Sequence, residues 1–432
     1  MTIYDEAMQM KEELVACRRD LHAHPELAWT EFRTASHVAK SLKALGYEVL
    51  MGDACMKADE MMGVPDKAEL SRAMGRAIKE GADPELVKKM EGGKTGVVGI
   101  MHFAKPGKTV GLRFDMDCLL VEENPTDAHR PTRDGFASTH PGLMHACGHD
   151  GHTAIGLGVA RLIAAHKDEM AGTVKLCFQP GEEGVMGARG MVASGIVDDV
   201  DYFLSGHIGL GNGENNSLVC MTEGFLATSK IDAFFTGKPA HAGANPQNGR
   251  NALLAAAQAS LALHTISRHS DGPSRINVGI LKAGTGRNVI PDNAVIKFET
   301  RGGSTAINEF MEGEARRMIK AAADMYGVTV KMVARGSAAS GNSSPDMGEE
   351  VYEVVKGLGV YSDIEKNHTV SGSEDCSYFM SRVQDHGCKA VYMLYGTEEA
   401  SGHHTSEFDF NEDVLPLSVY TVTELVKHFT NK

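Results

Sequence analysis

The sequence predicts an α/β protein with a mixed, mostly parallel sheet flanked by helices and a smaller ferredoxin-like α+β domain inserted into it. Three observations lead to this prediction. The chain has 432 residues, more than one ordinary hydrophobic core holds, so two domains are expected. Short runs rich in β-branched residues alternate with helical patterns, which is typical of parallel sheets. One internal stretch instead follows the order β-α-β-β-α-β of a ferredoxin-like unit.

The larger domain is predicted from five short apolar runs and the helices between them. The runs are expected to form strands at residues 96–101, 109–115, 173–179, 202–207 and 390–395. A helix is expected over residues 153–166, because Ile155, Val159 and Leu162 recur on one side. Residues 5–46 have a helical periodicity that Pro25 interrupts, so they are expected to form two helices.

The inserted domain is predicted at residues 226–338. Its expected strands and helices lie, in the order β-α-β-β-α-β, at residues 230–236, 250–268, 275–281, 294–301, 306–326 and 328–333. The stretch 336–345 is rich in Gly and Ser and is expected to be a linker back to the larger domain. The larger domain is therefore predicted in two parts, residues 1–225 and 339–432, and the first part contains a charged helical insertion at residues 57–94.

Composition and charge argue against several classes of protein. The formal net charge of −14 and the absence of Lys/Arg runs argue against nucleic-acid binding. No stretch approaches the roughly 18 unbroken apolar residues of a membrane span. The first residues have neither the basic start nor the apolar segment of a secretory signal. Eight cysteines without a paired spacing indicate reduced thiols, so we expect a cytoplasmic protein.

The strongest chemical signal is the pair Cys147 and His149, which lie two residues apart around Gly148. A thiolate and an imidazole are both metal ligands. Two residues correspond to about 200° of rotation on a helix, so the two side chains can converge on one ion only from a turn. A buried cysteine beside a surface histidine is the alternative interpretation.

Further candidate ligands follow predicted strands. Glu182 and Glu183 follow the run that ends at residue 179, and His207 ends the run 202–207. In open α/β sheets, ligands gather at the carboxyl ends of strands. Beside a metal, one of two adjacent carboxylates can coordinate while the other takes a proton from water. Solvated surface acids and a hydrogen-bonded core histidine are the alternatives.

Two further pairs carry weaker signals. Asp115 and Asp117 lie at another predicted strand end, and His403 and His404 form a late pair. No Gly-x-Ser-x-Gly, P-loop or His-Glu-x-x-His pattern is present in the sequence. A cysteine-protease nucleophile at Cys147 is an alternative, although it leaves the two glutamates without a role. The residues therefore predict a metal-dependent hydrolase.

In chain order, these motifs resemble those of the M20 metallopeptidase family and, within it, the amidohydrolase branch. The resemblance covers nearly the whole chain. Its motifs are Arg18-Arg19-Asp20-Leu21-His22, Asp115-Met116-Asp117, His145-Ala146-Cys147-Gly148-His149-Asp150, Gln179-Pro180-Gly181-Glu182-Glu183, Gly206-His207, Ala240-His241-Ala242-Gly243, Gly286-Arg287-Asn288-Val289-Ile290-Pro291 and Glu299-Thr300-Arg301. The resemblance implies a zinc-peptidase-like catalytic domain and an inserted domain that dimerises and closes over substrate.

The resemblance also implies roles for individual residues. Two divalent metal ions, Mn or Zn, would be held by Cys147, His149, Glu183, His207 and His404. Glu182 would be the catalytic base, and Asp117 would support the ligands. In the inserted domain, His241 would donate a hydrogen bond to the oxyanion, while Asn288 and Arg301 would bind substrate and Arg301 would hold a carboxylate.

A substrate class and partners follow from the same resemblance. The substrate would be a small N-acyl amino acid, and the chain is most similar to members that cleave an aryl amide of glutamate formed in folate breakdown. The chain would form a homodimer, or a heterodimer with a related B subunit, through residues 226–338. The alternatives are a broad N-acyl-amino-acid amidohydrolase, a dipeptidase of the same family, and a subunit that is inactive without a paralogous partner.

Overall fold

The computed structural model describes residues 1–211 and 213–432. Its helices, α1 to α13 in chain order, are Ile3–Gln9, Lys11–Ala23, Phe32–Ala44, Lys67–Lys79, Pro84–Lys89, Arg130–Asp134, His149–Ala165, Ala188–Val192, Ala252–Leu263, Thr305–Met325, Pro345–Leu358, Ser377–Asp385 and Val414–Thr430. Its strands, β1 to β12, are Glu48–Met51, Val97–His102, Lys105–Asp115, Ala171–Gln179, Tyr202–Ile208, Ser217–Glu223, Ala227–Thr236, Ser274–Ala283, Asn293–Gly302, Thr329–Ala338, Asp363–Thr369 and Lys389–Gly396.

The chain divides into two compact units. The larger unit comprises residues 1–223, 342–370 and 378–432, and the smaller unit comprises residues 224–341 and 371–377. Each unit has its own sheet, one mixed and one antiparallel, and this confirms the predicted fold class. Among the described residues, no helix is long and apolar enough to cross a membrane.

The sheet of the larger unit has eight strands in the order β1-β2-β4-β3-β5-β12-β6-β11. Within it, β4, β3, β5 and β12 form a group of four neighbouring strands that pair in parallel. Side chains on both faces of these strands are buried, as expected where helices cover a parallel sheet. Because the four strands run the same way, their carboxyl ends lie at one edge of the sheet.

Helix α7 packs closely on this sheet and begins at His149. Gly156 permits the close approach, because a Cβ atom there would lie 2.7 Å from ring atoms of Phe114 on β3 and Phe178 on β4. The helix is capped at its start by Gly148, which has a left-handed φ of 96°. Cys147 therefore lies in the turn before the helix, and His149 is the first residue of the helix.

The smaller unit has the strand order β10-β7-β9-β8, and all its pairings are antiparallel. Alternate residues of β9, including Ile296 and Phe298, are buried in a core that also contains residues of α9 and α10. The residues between them lie on the opposite face of the sheet, because side chains alternate along a strand. The sheet therefore has one apolar face against helices and one polar face.

Three strands of the larger unit, β1, β6 and β11, are not predicted by the sequence pattern. Strand β11 lies at the edge of the sheet, and its residues are mostly polar and at least partly exposed, so it lacks an apolar run. The linker predicted at residues 336–345 overlaps the end of strand β10. Strand β10 continues to Ala338, because its last residues still pair with β7.

Candidate metal centre

The predicted ligands follow the ends of the four central parallel strands of the larger unit. Glu182 and Glu183 follow β4, and His207 is the second-last residue of β5. His404 lies in the segment that follows β12, and His149 begins α7. Since the carboxyl ends of parallel strands share one edge, the fold brings these residues together.

Cys147, His149 and His207 offer ligand atoms that lie within 4.8 Å of one another, and all three residues are buried. The Sγ atom of Cys147 is 3.4 Å from Nε2 of His207. His207 Nδ1 donates to the Ile208 carbonyl oxygen at 2.7 Å, and His149 Nδ1 donates to the Asp117 carbonyl oxygen at 2.9 Å. With Nδ1 protonated in this way, Nε2 of each ring can offer a lone pair, as in metal-binding histidines.

Glu182 and Glu183 lie in a tight turn that Asp117 holds. The two carboxylate oxygens of Asp117 accept the backbone N–H groups of Glu182 and Glu183 at 3.0 and 2.9 Å. Gly181 has a left-handed φ of 60°, which glycine adopts without strain. Oε2 of Glu182 is 3.9 Å from Nε2 of His149. Asp117 therefore fixes both glutamates beside the histidine.

Both late histidines lie at this cluster. Nε2 of His404 is 3.5 Å from Oε1 of Glu183, and a ligand atom of His404 lies within 4.8 Å of those of Cys147 and Glu183. Nδ1 of His403 is 3.6 Å from Sγ of Cys147, and its Nε2 is 2.8 Å from Oε1 of Glu399. The structure thus brings the five predicted ligands together and adds His403, to which the family resemblance assigned no role.

Burial and neighbouring charges shift the proton affinities of the cluster. Burial opposes the charged form of His149, but the carboxylates of Asp115, Asp117 and Glu183 raise its pKa to about 10. Burial raises the pKa of Glu183 to about 7, although His149 opposes this shift. Burial raises the pKa of the Cys147 thiol well above its usual value, and repulsion from the Glu183 carboxylate raises it further. The cluster therefore attracts positive charge, whether as protons or as a cation.

The residues of the cluster fit divalent metal ions. Nε2 of His149 and Oε1 of Glu183 are buried and have no hydrogen-bond partner in the described part of the chain. Buried polar atoms without a partner are uncommon, and an ion would satisfy both. Thiolate, imidazole and carboxylate are ligands that transition metals accept. Cys147 belongs both to the group with His149 and His207 and to the group with Glu183 and His404, so it is suited to join two ions.

Asp115, which the sequence had singled out, and His152, which it had not, form a polar network beside the cluster. His152 Nδ1 donates to Oδ1 of Asp115 at 2.6 Å, and its Nε2 accepts the N–H of Ile208 at 2.8 Å. Arg113 Nη1 donates to Oδ2 of Asp115 at 2.5 Å. Both ring nitrogens of His152 are engaged, so it orients the end of β5. Its position three residues after His149, on the same side of α7, was the available signal.

Replacing Asp117 with alanine is expected to weaken metal binding by about 10–100-fold, the usual effect of removing a group that orients ligands. The N–H groups of Glu182 and Glu183 would lose their acceptor, so the turn would hold the carboxylates less firmly. Asp117→Asn keeps one carbonyl acceptor and should lose less affinity. Competition with a chromophoric chelator measures the affinity, and an Asp117→Ala value within twofold of wild type would contradict this role.

Two predicted site residues of the smaller unit, His241 and Asn288, lie on adjoining loops. The carbonyl oxygen of Asn288 accepts the N–H of Ala242 at 3.0 Å. Nδ1 of His241 accepts the N–H groups of Gly243 and Ala244 at 3.1 and 3.0 Å. With Nδ1 acting as an acceptor, the ring proton lies on Nε2. The exposed His241 side chain can therefore donate a hydrogen bond through Nε2.

The third predicted residue of the smaller unit, Arg301, lies on β9. Its Nε and Nη2 atoms donate to the carboxylate of Glu299 at 2.9 and 3.3 Å. Strand register places Arg275 of β8 opposite Arg301. Arg301 is therefore a half-buried guanidinium group with one carboxylate partner and a second arginine across the strand pair.

Comparison with known families identifies this arrangement. The sequence profile of peptidase family M20/M25/M40 matches residues 111–428, which include every predicted ligand. The chain belongs to this family. It is an M20 metal-dependent amidohydrolase, and the resemblance seen in its motifs is thereby confirmed.

Relatives match this M20 amidohydrolase over almost its whole length. The indole-3-acetyl-aspartic acid hydrolase of Enterobacter agglomerans is 48% identical over 422 residues, covering 98% of this chain and 97% of its own. The A subunit of the p-aminobenzoyl-glutamate hydrolase of Escherichia coli K12 is 47% identical over 413 residues, covering 95% of this chain and 94% of its own.

Solved structures share the fold. An aminobenzoyl-glutamate utilization protein from Klebsiella pneumoniae is 38% identical, has a TM-score of 0.85 and covers 99% of this chain and 98% of its own. A Bacillus subtilis protein described as a dinuclear metal-binding peptidase of the M20 family is 23% identical, has a TM-score of 0.67 and covers 98% of this chain and 99% of its own. At 23% identity, the similarity to the Bacillus subtilis protein shows only a shared fold.

Proposed function

We propose that this M20 amidohydrolase cleaves the amide bond of N-acyl amino acids and that its substrate is p-aminobenzoyl-glutamate, which yields p-aminobenzoate and glutamate. The observation that carries this proposal is the pair Glu182 and Glu183, which Asp117 holds beside Cys147 and His149. Two adjacent carboxylates at a metal site can supply both a ligand and a base. The 47% identity to an enzyme named for p-aminobenzoyl-glutamate supports the choice of substrate.

Two divalent metal ions, Mn²⁺ or Zn²⁺, are the proposed cofactors. Their proposed ligands are Cys147, His149, Glu183, His207 and His404. The position of Cys147 in two overlapping ligand groups supports a pair of ions. The thiolate and imidazole ligands favour Zn²⁺ by their softness, and the family resemblance favours Mn²⁺ equally. When bound, such ions would polarise the amide carbonyl and make water more acidic.

The chain's own groups then have distinct tasks. Glu182 takes a proton from the water that attacks the amide carbon, and it returns a proton to the leaving amine nitrogen as the C–N bond breaks. His241 donates from Nε2 to the oxygen on which negative charge develops, and the hydrogen bonds that keep its Nδ1 an acceptor support this task. Asn288 and Arg301 bind the substrate, and the planar guanidinium group of Arg301 suits a carboxylate.

Dimerisation is also part of the proposal. We assign it, with a second copy or with a related B subunit, to residues 226–338. The Escherichia coli relative is named as one subunit of a hydrolase, and this supports a partner. Exposed apolar residues of α9 and the edge strand β8 also support it, namely Leu254, Leu261, Ile280 and Leu281.

Hydrolysis of indole-3-acetyl-aspartate is the second candidate function. The observation that favours it is the 48% identity to the enzyme named for that substrate. Both candidate substrates carry an acidic amino acid, but they differ in the acyl group and in the amino acid, which is aspartate in one and glutamate in the other. The two intact conjugates, assayed side by side, therefore distinguish the candidates.

Metal-restored hydrolysis is the result that tests the proposal. The purified chain is stripped with a chelator and titrated with Mn²⁺ or Zn²⁺, and release of p-aminobenzoate from p-aminobenzoyl-glutamate is followed by chromatography. We expect turnover that depends on about two equivalents of metal. Turnover of indole-3-acetyl-aspartate alone would favour the second candidate. Failure to cleave either amide, with metal bound and with any B subunit present, would contradict both.

A further inference from the structure

A cavity of about 410 Å³ lies at the paired strands β8 and β9 of the smaller unit. Its lining residues are Arg268, Arg275, Ile276, Asn277, Glu299 and Arg301. Three guanidinium groups thus share the cavity with one carboxylate, so its lining carries two net positive charges. The whole chain, by contrast, has a formal net charge of −14. The cavity therefore concentrates positive charge in an acidic protein.

The excess charge belongs to two of the three arginines. Arg301 donates to Glu299 through two nitrogens, whereas Arg268 and Arg275 are exposed and form no ion pair with any described residue. Arg275 lies directly opposite Arg301 in the strand register. Like charges in that relation repel, and a bound anion would relieve the repulsion.

Two other cations on the same sheet share one carboxylate. Arg335 of β10 donates to Asp232 at 2.9 Å, and Lys297 of β9 lies 3.7 Å from the same carboxylate. Lysines elsewhere on this face, Lys230, Lys282 and Lys331, form no ion pair with any described residue either, so the cavity is distinguished by the clustering of its three arginines. An anionic ligand would neutralise the charge of the cavity arginines, as the carboxylate of Asp232 does for Arg335 and Lys297.

We propose that Arg268 and Arg275 bind the side-chain carboxylate of the acidic amino acid that leaves as the amine product, beside its α-carboxylate on Arg301. This inference rests on the proposed function and adds to it a specificity-determining site for the second carboxylate. Two relatives that match nearly the whole chain are named for an aspartate and a glutamate conjugate, and both of these substrates carry a side-chain carboxylate. Arginine forks bind carboxylates through paired hydrogen bonds, and the cavity is of a size usual for small ligands.

A pair of substrates that differ in one group tests this inference. The metal-loaded full chain is assayed with p-aminobenzoyl-glutamate and with p-aminobenzoyl-glutamine, which lacks only the negative side-chain charge. In Arg268→Gln and Arg275→Gln, we expect kcat/KM for the glutamate substrate to fall about tenfold or more through a higher KM, because hydrogen bonds to charged groups are strong. For the glutamine substrate kcat/KM should change much less, because its neutral amide gains little from the guanidinium charge. Arg335→Gln, which removes a paired cation of the same sheet, should change neither.

The opposite pattern would overturn the inference. It fails if both substrates lose activity equally in the two variants, or if neither does. Should wild type cleave neither amide, the proposed function fails, and calorimetry with free glutamate and free glutamine then tests the cavity by itself. Stronger binding of glutamate that Arg275→Gln removes would support the site, and equal binding of the two amino acids would overturn it.

Discussion

Replacing Glu182 with glutamine is expected to lower kcat by about 10²–10⁴-fold, the range that a general base usually contributes. The amide has nearly the shape of the carboxylate but cannot take a proton from water. The backbone N–H of residue 182 would still donate to Asp117, so the turn should persist. The measurement is kcat at saturating p-aminobenzoyl-glutamate, together with the metal content of the purified variant by mass spectrometry.

The neighbouring residue provides the matched control. Glu183→Gln makes the same chemical change one position later, at a carboxylate that lies in one ligand group with Cys147 and His404. This variant is expected to lose metal affinity, and its activity should recover in part at high metal concentration. Glu182→Gln should keep its metal and gain nothing from an excess. A Glu182→Gln enzyme with full metal content and a kcat within tenfold of wild type would disprove the assigned role.

Replacing Arg18 with methionine is expected to lower the free energy of unfolding of the larger unit by about 3–5 kcal/mol, because it removes one partner of a buried ionic network. The Arg18 guanidinium is fully buried and donates to Asp150 at 2.8 Å, to Asp409 at 2.9 Å and to Glu412 at 3.2 Å. Methionine has a similar length and no charge. Its introduction would leave three carboxylates close together without their shared cation.

Unfolding in urea, monitored by tryptophan fluorescence, measures the free energy of unfolding of the larger unit. Trp29 is the single tryptophan of the chain, is fully buried and lies in the larger unit. Arg19→Met is the matched control, since Arg19 also donates to Glu412, at 2.9 and 2.6 Å, but is partly exposed. Its loss should cost about 1 kcal/mol or less. Equal unfolding midpoints for wild type and Arg18→Met would rule out a stabilising role for the network.

The stability difference for Arg18→Met should also depend on pH. Burial alone would raise the pKa of Asp409, but Arg130 and Arg18 hold it below its usual value. A carboxylate with a depressed pKa in the folded state stabilises the fold above its unfolded pKa, and that stabilisation is lost as pH falls through the folded pKa. The difference between the wild type and the variant should therefore be largest near neutral pH and shrink in acid.

Much of the fold could be predicted because its signals are local. The five predicted strands of the larger unit and the β-α-β-β-α-β order of the smaller unit follow from residues within short windows, where side-chain periodicity depends on secondary structure. The edge strand β11 has no such local signal and was not predicted, because a partly exposed edge strand needs no apolar run. Its place in the sheet comes from parallel pairing with β6, about 146 residues away.

The sequence by itself determined the residue types of the candidate site and the strand ends that carry them. Cys147 and His149 flank a glycine at a turn, and Glu182 and Glu183 are adjacent, so covalent spacing alone limits what each pair can do. These local patterns, and the order in which they occur, also determined the family. The metal-binding roles of these residues remain predictions that the experiments above test.

Tertiary structure alone decided how distant groups meet. Hydrogen bonds to backbone carbonyls orient His149 and His207, and His403 approaches Cys147 across 256 positions of sequence. Arg275 and Arg301 lie opposite each other because of the register between β8 and β9. A shift of one residue would place their side chains on opposite faces of the sheet. Such contacts depend on packing between elements that are remote in the chain. Spacing along the sequence therefore does not contain them.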